Sequence, residues 1–312
     1  MKSKGRSRLA PSPTGALHLG NAQTFLINWA LARQLKWDLV LRIEDLDHPR
    51  VKPETIPNLI EDLKWIGLDW DHELPLQSSD TEPMYQALCE LGTQGRIFRC
   101  HRSRAEVAAA QSAPQDQDHG LRYDPSLRPA DAGQPVCTPD REATWRFLTD
   151  DRTFMVNDQC AGTHAIRLDT TCGDFPVWTP HGPSYQLAVA VDDARHHITD
   201  VVRGNDLLPS AARQQAILDT LSLPIPQWWH LPLVRGEDGR RLAKRHGDTR
   251  IASFRDQGVD PSQLIGYLAQ QCGCNPDGGP MTAAIFKDCF DILQMPQQDA
   301  ILSQKEFPWP LG

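Results

Sequence analysis

Arg8-Leu9-Ala10-Pro11-Ser12-Pro13-Thr14-Gly15-Ala16-Leu17-His18-Leu19-Gly20-Asn21 is the stretch on which the fold of this chain turns. It reads as a short apolar strand, a loop stiffened by two prolines, and the start of a long helix. Pro11 and Pro13 fix their own φ and restrict Ala10 and Ser12 before them, so the loop reaches the helix with little freedom left to lose. Gly15 and Gly20 let a ligand approach the backbone closely. Ala22, Phe25, Leu26 and Trp29 then follow the i, i+3, i+4, i+7 spacing of a helix packed on a sheet. The free N–H groups and positive dipole end of that helix point back at the loop, where a phosphate would sit, and His18 adds a proton-bearing donor. Neither G-x-G-x-x-G nor G-x-x-x-x-G-K-[ST] occurs, so the loop is not a dinucleotide fingerprint or a P-loop. A Pro/Gly turn before a helix is common, and a histidine there is usually a cap or a surface residue. Two matches far along the chain favour the phosphate reading.

The 312 residues, 40% of them hydrophobic, suffice for two or three compact domains. No apolar run approaches the roughly eighteen residues of a membrane span, and the basic Met1 to Arg8 runs into Pro11 without the apolar stretch of a secretory signal. Eight cysteines form no regular framework, so they are expected to stay reduced in a cytoplasmic chain. A formal net charge of −8 argues against indiscriminate coating of nucleic acid. It leaves two local basic concentrations: Lys2, Lys4, Arg6 and Arg8, then Arg235, Arg240, Arg241, Lys244, Arg245 and Arg250.

Asp38 to Ile43, apolar but for Arg42, suits a strand buried on both faces of a parallel sheet, which completes a βαβ unit with a crevice at its carboxyl end. Glu44, Asp45 and Asp47 sit in that crevice. Pro53 and Glu54 open a helix that buries Ile56, Leu59, Ile60, Leu63 and Ile66 and stops at Gly67. A second helix surrounds Met84, Tyr85, Leu88 and Leu91. Arg96 to Cys100 reads as a strand, Ser103-x-x-Glu106 as a capping box, and Gln111 to Gly120 as a polar loop. Short strands are expected at Trp145 to Leu148, Thr153 to Val156, Ala165 to Leu168 and Phe175 to Trp178. Residues from about 95 to 200 thus form an α+β insertion between the halves of the sheet. Gly182 to Asp193 is predicted to re-enter the sheet as an apolar strand ending in acids. Ile198 to Arg203 makes another strand, Gly204 a turn, and a helix follows Pro209. Ile251 to Phe254, Leu264 to Ala269 and Ala283 to Ile292 look helical.

The opening stretch resembles the HIGH signature of class I aminoacyl-tRNA synthetases in the P-S-P-T-G-x-x-H-x-G form of the glutamyl branch. R-I-E-D-L-D at Arg42 to Asp47, G-P-S-Y-Q-L-A-x-x-x-D-D at Gly182 to Asp193 and V-V-R-G-x-D-L-L at Val201 to Leu208 match the same branch. Leu242-Ala243-Lys244-Arg245-His246-Gly247 resembles the second signature, KMSKS, with Ala243 replacing the usual serine. The resemblance runs from residue 6 to about 250. It implies an α/β, Rossmann-like parallel sheet split by the insertion: residues 1–94 and 202–247 as the two halves, 95–201 as the insertion, and 248–312 as a helical remnant with no anticodon-binding domain.

By the same resemblance His18, Lys244 and Arg245 are catalytic, and Pro11, His18, Gly20, Asn21 and Lys244 hold ATP, which arrives with Mg²⁺. Glutamate has two carboxylates and one ammonium, so its pocket needs two cationic or strong donor partners and one anion. Arg8, Arg203, Tyr185 and Glu44, with Ser12 as an added donor, supply that count. The resemblance assigns Arg8 and Tyr185 to the side-chain carboxylate, Arg203 to the α-carboxylate and Glu44 to the amine. Asp192 and Asp193 are expected to order neighbouring backbone. A free-standing catalytic half matches the glutamyl-queuosine tRNA(Asp) synthetase family, whose acceptor is the queuosine base. A truncated or split glutamyl-tRNA synthetase and a non-catalytic glutamate- or nucleotide-binding paralogue are the alternatives. A monomer acting on glutamate, ATP and tRNA, with no membrane partner, is expected.

Many relatives bind zinc in the insertion through C-x-C and Y-x-x-x-C, a set that can close a tetrahedral site. Here only Cys100 and Tyr123 remain, because Arg102 and Leu127 occupy the other two positions. His101, His119 and Cys137 match no defensible spacing. No structural zinc is expected; instead Phe98, the Ser103 cap and Tyr123 hold the insertion tip.

Overall fold

The computed structural model describes residues 4–47, 50–109, 122–240, 242 and 248–302. The first half contains β1 (Arg6–Leu9), α1 (Leu19–Gln34), β2 (Asp38–Leu41), α2 (Ile56–Trp65), β3 (His72–Glu73) and α3 (Glu82–Thr93). Then come β4 (Ile97–Arg99), α4 (Arg104–Ala109), β5 (Trp145–Phe147), β6 (Thr153–Asp158), β7 (Gly162–Arg167), α5 (Leu168–Thr171), β8 (Phe175–Thr179) and β9 (Gly182–Pro183). Next are α6 (Tyr185–Arg195), β10 (Asp200–Gly204), α7 (Leu208–Thr220), β11 (Gln227–Leu231) and β12 (Val234–Gly236). The last elements are α8 (Ile251–Asp256), α9 (Pro261–Gln271), α10 (Ala283–Cys289) and β13 (Ala300–Leu302).

The pairs β1–β2, β2–β3 and β10–β11 are parallel, and β1 lies against β10, where the Thr199 N–H donates to the Arg6 carbonyl at 2.9 Å. The order is therefore β3-β2-β1-β10-β11. The direction of growth reverses between β1 and β10, and that reversal opens a ligand crevice at the carboxyl ends of both strands. In β2, Leu39 and Leu41 face one layer, built with α1, α2 and the C-terminal helices, while Val40 faces the other, built with α3, α6 and α7. The two-sided burial expected of this strand follows from that alternation. α10 docks on α1, where the Gln34 amide donates to the Lys287 and Phe290 carbonyls.

Residues between the halves form two structures. β4, β5, β8 and β9 make an antiparallel sheet. The β6–β7 hairpin joins the edge of β11 through the single register Trp228↔Asp158, so it extends the second half. The capping box is present: Ser103 N–H donates to Glu106 Oε2 at 2.8 Å, and Glu106 N–H donates to Ser103 Oγ at 3.2 Å. The polar loop expected at Gln111 to Gly120 lies outside the described residues.

One element differs outright. Gly182 to Asp193 is not a strand: only Gly182–Pro183 is extended, and Tyr185 opens α6. Leu187 through Asp193 are all buried, so this stretch of the helix is covered on every side and its unbroken Leu187–Val191 apolar run carries no one-faced period to separate it from a buried strand. β13 was not expected either. It pairs with β12, and Asp299 fixes it by accepting from the Leu233 N–H at 2.8 Å and pairing with Arg235.

Candidate active site

The crevice between β1 and β10 is a cleft of about 260 Å³ walled by Arg8, His18, Gly20, Asn21, Phe25, Glu44, Tyr185, Arg203 and Leu242, among others. It opens beside a second compartment of about 500 Å³ that shares His18, Asn21, Glu44 and Tyr185 and adds Pro11, Ser12 and Gly15. Arg8, Glu44, Tyr185, Arg203, His18, Gly20 and Asn21 therefore meet at one place, whereas Ser12 is exposed and faces the adjoining compartment. Lys244 and Arg245 lie outside the described residues. Their flanks return to the site: Leu242 lines the cleft, the Leu19 N–H donates to the Thr249 carbonyl at 3.0 Å, and the Ile251 N–H donates to the Leu17 carbonyl at 2.8 Å. One N–H at the α1 start, expected to be free for phosphate, is thus taken by backbone. His18 is the N-cap, with extended φ and ψ.

The loop is pinned at both prolines. The Glu44 N–H donates to the Pro11 carbonyl (3.1 Å) and the Lys52 N–H to the Pro13 carbonyl (2.9 Å). Asp45 is structural, accepting from the Ser78 N–H and hydroxyl at 2.8 and 2.6 Å.

A buried charge network underlies the cleft. Asp193 Oδ1 takes both Arg8 Nε (3.2 Å) and Arg42 Nη1 (2.7 Å), and Arg42 Nη2 holds Glu44 Oε1 at 2.8 Å. Asp192 accepts from the Gln77 amide at 2.8 Å. These aspartates therefore order side chains where backbone was expected, because α6 turns Asp193 inward onto Arg8 of β1 and Arg42 just after β2, and Asp192 onto Gln77. Burial pushes the Asp193 carboxyl up, but Arg42 and then Arg8 more than offset it and leave it below the usual carboxylate range. The Tyr185 phenol is held above its ordinary value by desolvation, against the pull of Arg203. Arg203 is buried, donates to His230 Nε2 (3.0 Å) and Gln214 Oε1 (2.9 Å), and makes no ion pair among the described residues. Arg42, Gln214, His230 and Asp158 are site members that the sequence reading missed.

Among the described residues, four members of the two basic concentrations are neutralised: Arg6 pairs with Asp38, Arg8 with Asp193, Arg235 with Asp299 and Arg250 with Asp248. Asp38 lies on the neighbouring strand β2, Asp193 on α6, Asp299 just before β13 and Asp248 two residues before Arg250, so these four charges serve the fold.

A family described as tRNA synthetases class I (E and Q), catalytic domain, matches residues 4–286. The chain belongs to this family. It is a class I ligase with the expected Rossmann-like α/β fold. The chain is 41% identical over 293 residues to a protein of Rhodopirellula baltica named glutamyl-Q tRNA(Asp) synthetase, covering 89% of this chain and 88% of that one. Similarity to a protein of the same name from Symbiobacterium thermophilum is 38% over 309 residues, 93% and 94% of the two chains. A glutamate–tRNA ligase of Synechococcus sp. (strain RCC307) is 38% identical over 282 residues, 88% of this chain and 59% of that one. The fold matches the glutamate-tRNA synthetase of Elizabethkingia anophelis with a TM-score of 0.80 at 24% identity, over 97% of this chain and 69% of that one.

At the insertion tip the retained zinc-type residues do not fit a metal. The Arg146 guanidinium donates through Nε to Cys100 Sγ at 3.3 Å and stacks 4.4 Å over the Tyr123 ring, whose hydroxyl donates to the Leu127 carbonyl at 2.9 Å. A cation already stands beside the thiol, where it repels a second one. Elemental analysis of protein purified without added metal or chelator should find far less than one zinc per chain. About one equivalent, lost on Cys100→Ser, would show that the network gives way to metal.

Proposed function

We propose that this chain activates glutamate with ATP and transfers it to the queuosine base of tRNA(Asp). The observation that carries the glutamate reading is the charge arrangement of the cleft. Arg203 presents a buried cation with no acid partner among the described residues, and Arg8, Tyr185 and Glu44 stand around the same space. A diacid with one ammonium complements that set: Arg203 takes the α-carboxylate, Arg8 and Tyr185 the side-chain carboxylate, and Glu44 the amine. Arg8 uses Nε on Asp193 and Nη1 on the Val202 carbonyl, which leaves Nη2 for the substrate.

In the reaction an oxygen of the α-carboxylate forms a bond to the α-phosphorus of ATP, and the bond from that phosphorus to the pyrophosphate oxygen breaks. The carboxylate is ionised at neutral pH, so no general base is needed. The protein aligns the two groups and stabilises charge on the phosphoryl oxygens. His18, Gly20 and Asn21 at the α1 start serve the phosphates, together with Lys244 and Arg245, and Mg²⁺ accompanies the nucleotide as its charge partner. The enzyme works in the cytoplasm, where ATP and tRNA are found.

The near full-length match to relatives named glutamyl-Q tRNA(Asp) synthetase supports queuosine as acceptor. The similarity to glutamate–tRNA ligases keeps a second reading, charging of a 3′ end. Labelled glutamate, ATP and purified tRNA(Asp) decide between them. Label should enter queuosine-containing tRNA(Asp) even after its 3′-terminal adenosine is removed, and should not enter the same tRNA from cells that cannot make queuosine. Labelling that follows the 3′ adenosine instead would establish the second reading. Absence of glutamate-dependent pyrophosphate exchange even with tRNA present would leave a non-catalytic paralogue.

A further inference from the structure

Behind the cleft, Arg203 is held by a second layer of polar side chains. Its Nε donates to His230 Nε2 at 3.0 Å and its Nη1 to Gln214 Oε1 at 2.9 Å. On the far side of the ring, His230 Nδ1 lies 2.5 Å from Asp158 Oδ2, and the His230 backbone N–H donates to both Asp158 oxygens at 3.1 Å. Asp158 Oδ1 also accepts from the Cys160 and Ala161 N–H groups at 2.9 and 2.7 Å. Arg203, His230, Gln214 and Asp158 are all buried. The Trp228 ring underlies the guanidinium at 5.0 Å.

The directions of these bonds follow from donor inventory. A guanidinium has donors only, so His230 Nε2 must accept, and the ring proton must sit on Nδ1, where it is donated to Asp158. Burial, reinforced by Arg203 and opposed by Asp158, keeps the imidazole pKa down at about 4, so the ring is neutral at working pH. A planar guanidinium gripped at Nε and Nη1 has no rotational freedom left, and its third nitrogen points wherever the first two dictate. That nitrogen, Nη2, is buried and makes no hydrogen bond among the described residues, on a residue that lines the cleft. A buried charged donor in that state is costly unless a ligand completes it.

We infer that Asp158 and His230 are positioning residues: the pair fixes the plane of Arg203 so that Nη2 meets the α-carboxylate of the substrate. The inference rests on the proposed function for that carboxylate. It also gives the β6–β7 hairpin a reason to reach the sheet edge, since Asp158, the last residue of β6, is the one through which the hairpin joins β11.

The test compares Asp158→Asn, His230→Leu and His230→Gln in glutamate-dependent ATP–pyrophosphate exchange, reading kcat and the KM values of glutamate and ATP, with thermal unfolding alongside. Leucine removes the acceptor. Asparagine donates to Nδ1, drives the ring proton to Nε2 and sets two donors face to face. Both should raise the glutamate KM roughly tenfold or more while the ATP KM stays near wild type. Glutamine carries one acceptor and one donor in a single amide, so it should restore most of the glutamate affinity that leucine loses. Equal effects of leucine and glutamine, or a parallel rise in the ATP KM, would reduce the pair to ordinary core packing. If Asp158→Asn fails to fold, the two His230 variants decide alone. Long-range ¹H–¹⁵N correlation of the wild-type imidazole provides a readout independent of substrate: a proton on Nε2 would overturn the inference whatever the amino acid. The Nδ1–H tautomer together with no glutamate-dependent exchange would instead overturn the proposed function, and the carboxylate assignment with it.

Discussion

Lys244→Ala is expected to slow glutamate-dependent pyrophosphate exchange by roughly 10²–10³-fold, the usual cost of losing one preorganised charge at a reacting centre. The glutamate KM should hardly move. The lysine belongs to the KMSKS-like segment, and under the proposed function its charge is used where negative charge grows as pyrophosphate leaves, while the amino acid is gripped elsewhere, by Arg203, Arg8 and Glu44. An interaction made mainly in the transition state lowers kcat without weakening ground-state binding. The anchoring of the flanks makes this specific. Leu242 lines the cleft, and Thr249 and Ile251 are bonded to Leu19 and Leu17, so the described flanks of that segment lie at the cleft and at the α1 start. Steady-state exchange with saturating ATP and tRNA present, at unchanged thermal stability, measures the effect. A rise in glutamate KM with kcat intact would move Lys244 from the phosphates to the amino acid.

The contrast between Lys244 and its surroundings also shows what can be read from this sequence. Local rules were sufficient wherever a residue's partner lies within a turn or two. The proline loop before α1, the Ser103–Glu106 box and the Gly67 stop of α2 depend only on neighbours, and each is where the pattern put it. The alternation in β2 was equally plain. α6 escaped because burial on every side erases the period that distinguishes helix from strand. β13 escaped because its partner β12 lies more than sixty residues earlier. In the site, Arg8, Glu44, Tyr185 and Arg203 were legible through signature spacing, and the structure brings them together. Their supports were not. Asp158 and His230 are 72 residues apart and Arg8 and Asp193 are 185 apart, and no local pattern marks a pair that only the packed sheet creates. Three of the four acids that pair with the basic concentrations, Asp38, Asp193 and Asp299, are likewise distant in sequence from their arginines.

Asp193→Ala should be the most destabilising substitution in the cleft. Both arginines converge on a single oxygen, Oδ1, and Arg8, Arg42 and Asp193 are almost completely buried. Removing the carboxylate leaves Arg42 with Glu44 alone and Arg8 with no acid at all among the described residues. Breaking a buried pair in this way commonly costs about 3–5 kcal/mol, because the remaining charge stays desolvated and uncompensated. Against a total stability of roughly 5–15 kcal/mol, that is a large fraction. The pH dependence gives a second, signed readout. Asp193 is held below its ordinary value in the folded state, so its contribution is fully present above the unfolded pKa of about 4 and is lost as pH falls through the lower folded value. Asp193→Asn keeps an acceptor at the Oδ1 position and deletes only the charge, so it isolates this linkage. Denaturant unfolding at neutral pH and again below pH 4 should show a large loss for alanine, a smaller one for asparagine, and a shallower acid slope in both than in the wild type. Losses under about 1 kcal/mol with the wild-type slope retained would mean that the two arginines find compensation without Asp193.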